Sequence, residues 1–332
     1  MGMANWREKL GAVRDANNAA AWTIAEYIDE TPTAITASLI HDADPDGELP
    51  EETLYAAFMA GFAGVPEDDR IIPDYLTEAV HRLDIADYID NPYLKTIRFP
   101  DAATRHWRFT HYTYKPYEAF ICNDIRMEPD LREIPQAGYF RERFSYPAVE
   151  QDGREWMAVK PSEIETMRGA IGIAEGKVVT FGLGLGYFAF MASSKQDVES
   201  VDIVERDEEV IDLFSRHILP QFPERDKIRI IRSDAFDFMH HEMECSGYDH
   251  AFVDLWHDTA DGLELYLKAK KEENYLKAKG TETMFSYWVE ESLLSAYRWT
   301  IFDEIIAACG TETEAIEELS DKALKIRLQG LA

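Results

Sequence analysis

The chain has 332 residues, 46% of them hydrophobic, and sets 34 Lys and Arg against 63 Asp and Glu for a formal net charge of −29. Such a composition belongs to a folded protein rather than a disordered chain, and at roughly 100–200 residues per domain the length predicts two domains. The charge repels a phosphate backbone and no basic stripe interrupts it, so nucleic acid is not an expected partner; a cationic or neutral small molecule suits the field, and solubility alone accounts for the acidity equally well.

Residues 1–92 place apolar side chains at helical spacing, as in Trp22, Ile24, Ala25 and Ile28 and then Leu54, Ala57, Phe58, Ala60 and Phe62, which predicts a small helical domain. Asn91-Pro92 ends that pattern. Residues 93–150 are aromatic and β-prone, with alternation at Trp107 and Phe109 and at Tyr112 and Tyr114, and predict a small sheet or a set of hairpins. From Gln151-Asp152-Gly153 onward, residues 151–332 alternate strand and helix: KVVTFG, a helix from Tyr187, VESVDIVE, EEVIDLFSRHIL, KIRIIRSD, AFDFMHHEM and YDHAFVDLW. Two helices at 262–279 and 290–308 then flank a strand TETMFSY, and a charged helical tail follows from Thr311. This order predicts an α/β fold with a Rossmann-like doubly wound parallel sheet that carries its ligand at the strand C-termini.

Cys122, Cys245 and Cys309 are far apart and form no CxxC pair, so neither a disulfide framework nor a zinc knuckle is expected and a reducing, cytoplasmic setting fits. The uncharged stretch 178–194 holds three glycines and is shorter than the ~20 residues a membrane-spanning helix needs. The first residues lack the apolar core of a signal peptide. No membrane association is expected, and the sequence does not fix an oligomeric state.

The first strand of the alternating region runs into Gly182-Leu183-Gly184-Leu185-Gly186 and then a helix. Glycines there let the backbone turn sharply and approach a ligand closely. The spacing is GxGxG, with Tyr187 where a dinucleotide fold carries its last glycine, which disfavours NAD. Glu205 ends the second strand, where a carboxylate can accept hydrogen bonds from both hydroxyls of a ribose. Asp234, followed by Ala235, ends the third strand; its carboxylate can take an adenine amino group, cap the next helix, or do both. Asp254 ends the fourth strand, with Trp256, His257 and Asp258 just beyond.

Together VVTFGLGLG, VDIVERD, RSDAFDF and YDHAFVD resemble the class I S-adenosylmethionine-dependent methyltransferase superfamily, and within it the spermidine-synthase-like branch, over about residues 155–308. The resemblance implies S-adenosylmethionine as cofactor, with Gly182, Gly184 and Gly186 under its methionine part, Glu205 on the ribose, and Asp234 with Ala235 at the adenine. It implies that Asp254 orients or deprotonates the acceptor. Thr180 stands two residues before the first glycine, where many methyltransferases carry an acid and spermidine synthases often do not. Spermidine synthases read roughly DSSDP after the fourth strand; here Asp254-Leu255-Trp256-His257-Asp258 tips the reading toward methyl transfer to a small molecule. Aminopropyl transfer is the alternative. A non-catalytic cofactor-binding or interaction module, with Tyr112, Tyr114, Tyr117 and Phe120 as a partner surface, is the third reading.

Methyl transfer is an in-line displacement, so the protein must align the nucleophile and remove its proton. Asp254, His257 and Asp258 are the catalytic candidates; the resemblance implies that the helix before the first strand borders the cofactor, where Lys160 or Glu163 would reach it, and a helix that merely packs beside the sheet is the equal alternative. Trp256 and Tyr287 can face a sulfonium by cation–π contact, although burial as core aromatics is the stronger expectation. His240-His241 with Cys245 lacks a third ligand at useful spacing, and no metal is expected there. Asp42, Asp44 and Asp46 match the start of an EF-hand loop, but Thr53 holds the twelfth position, where a bidentate Glu is needed, so a helix–helix turn is expected instead.

Overall fold

The computed structural model describes residues 6–257 and 259–331. By compactness the chain divides into two units: the chain up to Ile85 with Thr113–Ser145 and Leu294–Leu324, and Ala86–Tyr112 with Tyr146–Leu293 and the chain from Lys325. Borders at 92 and 150 do not separate these units, because the β-prone stretch divides between them and residues 294–324 belong with the N-terminal helices. Apolar burial decides this: Leu10 on the helix Trp6–Glu30 shares one cluster with Phe302, Ile305 and Leu319.

The first unit is not purely helical. Its helices Trp6–Glu30 and Glu51–Phe62 bury Ile24, Tyr27, Tyr55 and Met59 in a cluster that also holds Ile134 and Tyr139. The three-residue strand Val80–Arg82 pairs in parallel with Ala137–Tyr139, which pairs antiparallel with Phe120–Ile121. Arg298 is fully buried in this unit, and its guanidinium is held by Glu133, Asp321 and the Leu319 carbonyl, so the charge is paired and each of its three nitrogens donates a hydrogen bond.

The second unit is built on five strands, β1 (Gly176–Phe181), β2 (Val198–Glu205), β3 (Ile228–Arg232), β4 (His250–Val253) and β5 (Met284–Tyr287). They form one all-parallel sheet in the order β3-β2-β1-β4-β5. Val178, Val179 and Phe181 are all buried, as a central strand of an α/β sheet requires. The chain leaves β1 toward β2 and β3 and then returns to β4 on the other side, so a topological switch point lies between β1 and β4.

Helix α1 (Pro161–Ile173) precedes β1, α2 (Tyr187–Ser193) follows it, and α3 (Glu208–His217), α4 (Ala235–His241) and α5 (Thr259–Ala278) follow β2, β3 and β4. Asp207 starts α3 by accepting from the backbone N–H groups of Glu209 and Val210 at 2.8 and 3.3 Å. Val210, Leu213 and Phe214, one helical face, are its buried side chains. Among the described residues, no helix is long and apolar enough to cross a membrane.

Candidate active site

The C-terminal end of β1 is pinned on both sides. Gly182 donates its N–H to the Val204 carbonyl of β2 at 3.0 Å, while Asp254 donates its own to the Phe181 carbonyl at 3.0 Å. Gly182, Gly184 and Gly186 all take positive φ, at 102°, 49° and 74°. Each also lies where a side chain would collide: with the Asp254 carbonyl at Gly182, with the Met157 thioether at Gly184, and with the Phe214 ring at Gly186. The glycine turn is therefore both a conformational and a packing requirement.

Glu205 closes on this turn. Its Oε2 accepts from the Leu183 N–H at 3.2 Å, and its Oε1 accepts from the N–H groups of Arg206 and Asp207 at 2.8 and 2.9 Å. The sheet thus brings the glycines, Glu205 and Asp254 together at the switch point. Asp234 caps α4, with Oδ1 accepting from Phe236 and Asp237 at 2.9 and 3.2 Å, and Ala235 is buried behind it. His257 is exposed and stacks on Trp156 with ring centroids 5.7 Å apart, while its N–H meets the Asp261 carboxylate at 3.3 Å. Asp258 lies outside the described residues.

A small cavity with room for little more than a water molecule lies here, lined by Met157, Met167, Gly182, Leu183, Gly186 and Asp254 among others. Burial raises the Asp254 carboxyl well above its ordinary range, and the nearby Glu163 charge adds to the shift. Glu163, in the first turn of α1, is buried and accepts no side-chain hydrogen bond among the described residues; burial pushes its carboxyl up to about 7. Lys160 stands nearby, its ammonium 2.6 Å from Glu155.

Several side chains of the site carry no sequence signal. Met157, on the strand Arg154–Ala158, accepts the Leu185 N–H on its sulfur at 3.3 Å and so fills the space over Gly184. The Tyr93 hydroxyl donates to the Leu185 carbonyl at 2.5 Å, and Asn91 donates to the Tyr187 hydroxyl at 3.0 Å, so the second half of the turn is braced from outside. Trp107 donates its indole N–H to Asp207 at 3.1 Å. In the sequence these positions carry only the turn signal at Asn91-Pro92 and the strand alternation at Trp107.

Other candidates take structural places. Tyr287 donates to Glu273 at 2.7 Å and lies under the Lys270 ammonium, 4.8 Å from the ring centroid, so its cation is internal. Trp256 is 5% exposed and packs edge-on against Tyr266. His240 meets Glu272 at 3.0 Å and stacks on Tyr275, and Cys245 is exposed. Asp44 accepts the Leu49 N–H at 2.8 Å, and backbone donors, Leu49 first, hold its carboxyl below the usual range. Among the described residues no three His, Cys, Asp or Glu side chains gather as metal ligands would.

Neither a protein-family model nor a curated protein matches the chain. Among similar solved structures is the crystal structure of a proposed O-methyltransferase from Klebsiella pneumoniae, 15% identical, with a TM-score of 0.24. The match covers 29% of this chain and 43% of that one, so it spans under half of the neighbour's length.

Proposed function

We propose that the cleft binds S-adenosylmethionine and that the protein transfers its methyl group to a small molecule, as an enzyme of the class I methyltransferase type. One observation carries this reading: a positive-φ glycine turn, a strand-end acid hydrogen-bonded to that turn through the Leu183 N–H, and a strand-end aspartate packed on Gly182 meet at a single switch point. A glycine turn alone serves many ligands; the acid on its amide adds a ribose-type recognition element, since each carboxylate oxygen accepts more than one hydrogen bond.

Bound there, S-adenosylmethionine supplies a methyl group on a positively charged sulfur, open to in-line displacement. The chain's own residues do the rest. Gly182, Gly184 and Gly186 admit the donor's tail close to the backbone, Glu205 accepts the ribose hydroxyls, and Asp234 keeps Oδ2 for the adenine amino group while Ala235 offers its N–H. Asp254 orients the acceptor and takes the proton it releases, with His257 at the mouth as a second proton acceptor.

The donor suits these residues with one adjustment. Ligand pockets usually hold ~300–1000 Å³, whereas the cavity here has room for little more than a water molecule, and Met157 lies over Gly184. A thioether is a weak acceptor for an amide, so Met157 yields its place on binding. Met157→Ala is expected to tighten donor binding several-fold, up to about tenfold, by removing the conformation that competes with the ligand; weaker binding by the variant in a calorimetric titration refutes the displacement.

Aminopropyl transfer from the decarboxylated donor is the second reading, favoured by Asp254, an acid lining the cavity that suits a diamine. Calorimetric titration with intact and decarboxylated S-adenosylmethionine separates the two. A tenfold preference for the intact form, about 1.4 kcal/mol, supports methyl transfer, and the reverse preference supports aminopropyl transfer. Binding of neither defeats both.

A further inference from the structure

A buried tryptophan reaches the end of the cleft that carries Glu205. Trp107 opens the strand Trp107–Tyr114, is 4% exposed, and donates its indole N–H to Asp207 Oδ2 at 3.1 Å. Asp207 is the joint between β2 and α3. Its Oδ1 accepts the first-turn N–H groups of Glu209 and Val210, while its own N–H, together with that of Arg206, holds Glu205 Oε1. The Leu183 N–H holds Oε2. Both oxygens of Glu205 are therefore aimed by backbone donors, and one of those donors belongs to the residue that the indole grips.

Trp107 is itself held on several sides. A tight turn ties its N–H to the Thr104 hydroxyl at 3.1 Å and its carbonyl to the Thr104 N–H at 2.8 Å, and its ring meets Trp156 edge-to-face with centroids 5.9 Å apart. The same turn reaches α3 a second time, where Glu209 Oε2 accepts the His106 N–H at 3.1 Å. Two acids at the start of α3 are thus gripped by one turn. A buried indole N–H needs an acceptor, and any carbonyl would satisfy it. Here the acceptor is a carboxylate, which makes the stronger kind of hydrogen bond, on a residue whose amide aims Glu205.

We infer that Trp107 is a positioning residue for ribose recognition: through Asp207 it holds the Glu205 carboxylate in the orientation that accepts a ribose hydroxyl, without touching the ligand. The inference rests on the assignment of the cleft as an S-adenosylmethionine site with Glu205 on the ribose, and adds the element that sets that acid. Without the indole, Asp207 keeps its cap on α3 but loses the contact on Oδ2, and the N–H it turns toward Glu205 is no longer fixed. A carboxylate free to rotate must be ordered when the ligand binds, and ordering one such side chain lowers affinity by about twofold to tenfold. That cost falls on ligands that carry ribose hydroxyls and spares those that do not.

The test is calorimetric titration of the full chain with S-adenosylhomocysteine and with its 2′,3′-dideoxy counterpart, which keeps the adenine, the sulfur and the amino-acid tail and lacks both hydroxyls. The wild type is expected to bind the parent compound about tenfold or more tightly than the dideoxy one, the usual worth of a hydrogen bond to a charged group. Trp107→Phe keeps a ring against Trp156 and removes the N–H; it is expected to lose about threefold to tenfold in affinity for the parent and under about twofold for the dideoxy compound, so the ratio shrinks. Asp207→Asn leaves one oxygen where Asp has two, and Asn caps a helix about as well as Asp, so the cap stays and the indole loses its acceptor. It is expected to shrink the ratio to the same extent, and the double variant no further than either alone. A Trp107→Phe protein that loses affinity for both compounds alike has lost packing rather than positioning, and one that keeps the wild-type ratio does not set the acid; either result overturns the inference and leaves the donor site standing. If Trp107→Phe does not fold, the ratio in Asp207→Asn decides by the same criteria. Equal binding of the two compounds by the wild type overturns the inference together with the role of Glu205, and binding of neither overturns the donor site itself.

Discussion

Replacing Asp254 by Asn is expected to lower methyl transfer by about 10²–10⁴-fold, the usual contribution of a positioned acid or base, while affinity for S-adenosylhomocysteine stays within about twofold of the wild type. The backbone reasoning is local. Asp254 is tied into the sheet by its N–H on the Phe181 carbonyl and by its own carbonyl against Gly182, neither of which involves the side chain. Asn preserves that geometry and the side-chain volume but cannot take a proton. The neutral product lacks the sulfonium charge, so its affinity reports whether the cleft is intact. Labelled methyl transfer from S-adenosylmethionine to a small-molecule extract, measured beside product affinity, gives both quantities. Equal transfer by the two proteins removes Asp254 from the chemistry, and transfer by neither, with binding intact, favours a cofactor-binding module.

The part of this site that could be read in the sequence is the part made by local order. Strand, glycine turn, helix, strand and acid follow one another between Gly176 and Glu205, and parallel pairing in register from Val178 with His250 to Phe181 with Val253 then sets Asp254 beside Gly182. Long-range packing leaves no such trace. Met157 reaches the turn only because the strand Arg154–Ala158 lies over it, and nothing distinguishes that methionine from a core residue in one dimension. Glu163 is legible as a first-turn acid of the helix before the first strand and as a candidate to reach the cofactor, but its burial is not. The first unit is harder still. Its core joins segments almost 300 residues apart, Leu10 with Phe302 among them, and its strand Val80–Arg82 is too short to show an alternating pattern after a helical stretch.

Gly182→Ala is expected to cost about 2–6 kcal/mol, combining a strained positive φ of ~1–3 with overpacking of ~1–3. Gly182 has φ of 102°, and an added Cβ would run into the carbonyl oxygen of Asp254, a backbone atom fixed by the sheet, so no side-chain rotation relieves the clash. The strand ends must part instead, and Asp254 moves with them. Gly184→Ala meets only the flexible Met157 thioether, and Gly47→Ala, at φ 68°, meets nothing within 4 Å, so each isolates a smaller share of the cost. Thermal unfolding of the three variants is expected to place Gly182→Ala lowest, by several degrees or more at roughly 2–4 °C per kcal/mol for a body of this size. S-adenosylhomocysteine affinity is expected to fall with it, since the turn that cradles the donor and the strand end that carries the acid share this contact. A Gly182→Ala protein that melts like Gly47→Ala and binds like the wild type means that the strand ends separate freely, and that the close packing of Gly182 on Asp254 does not hold the site together.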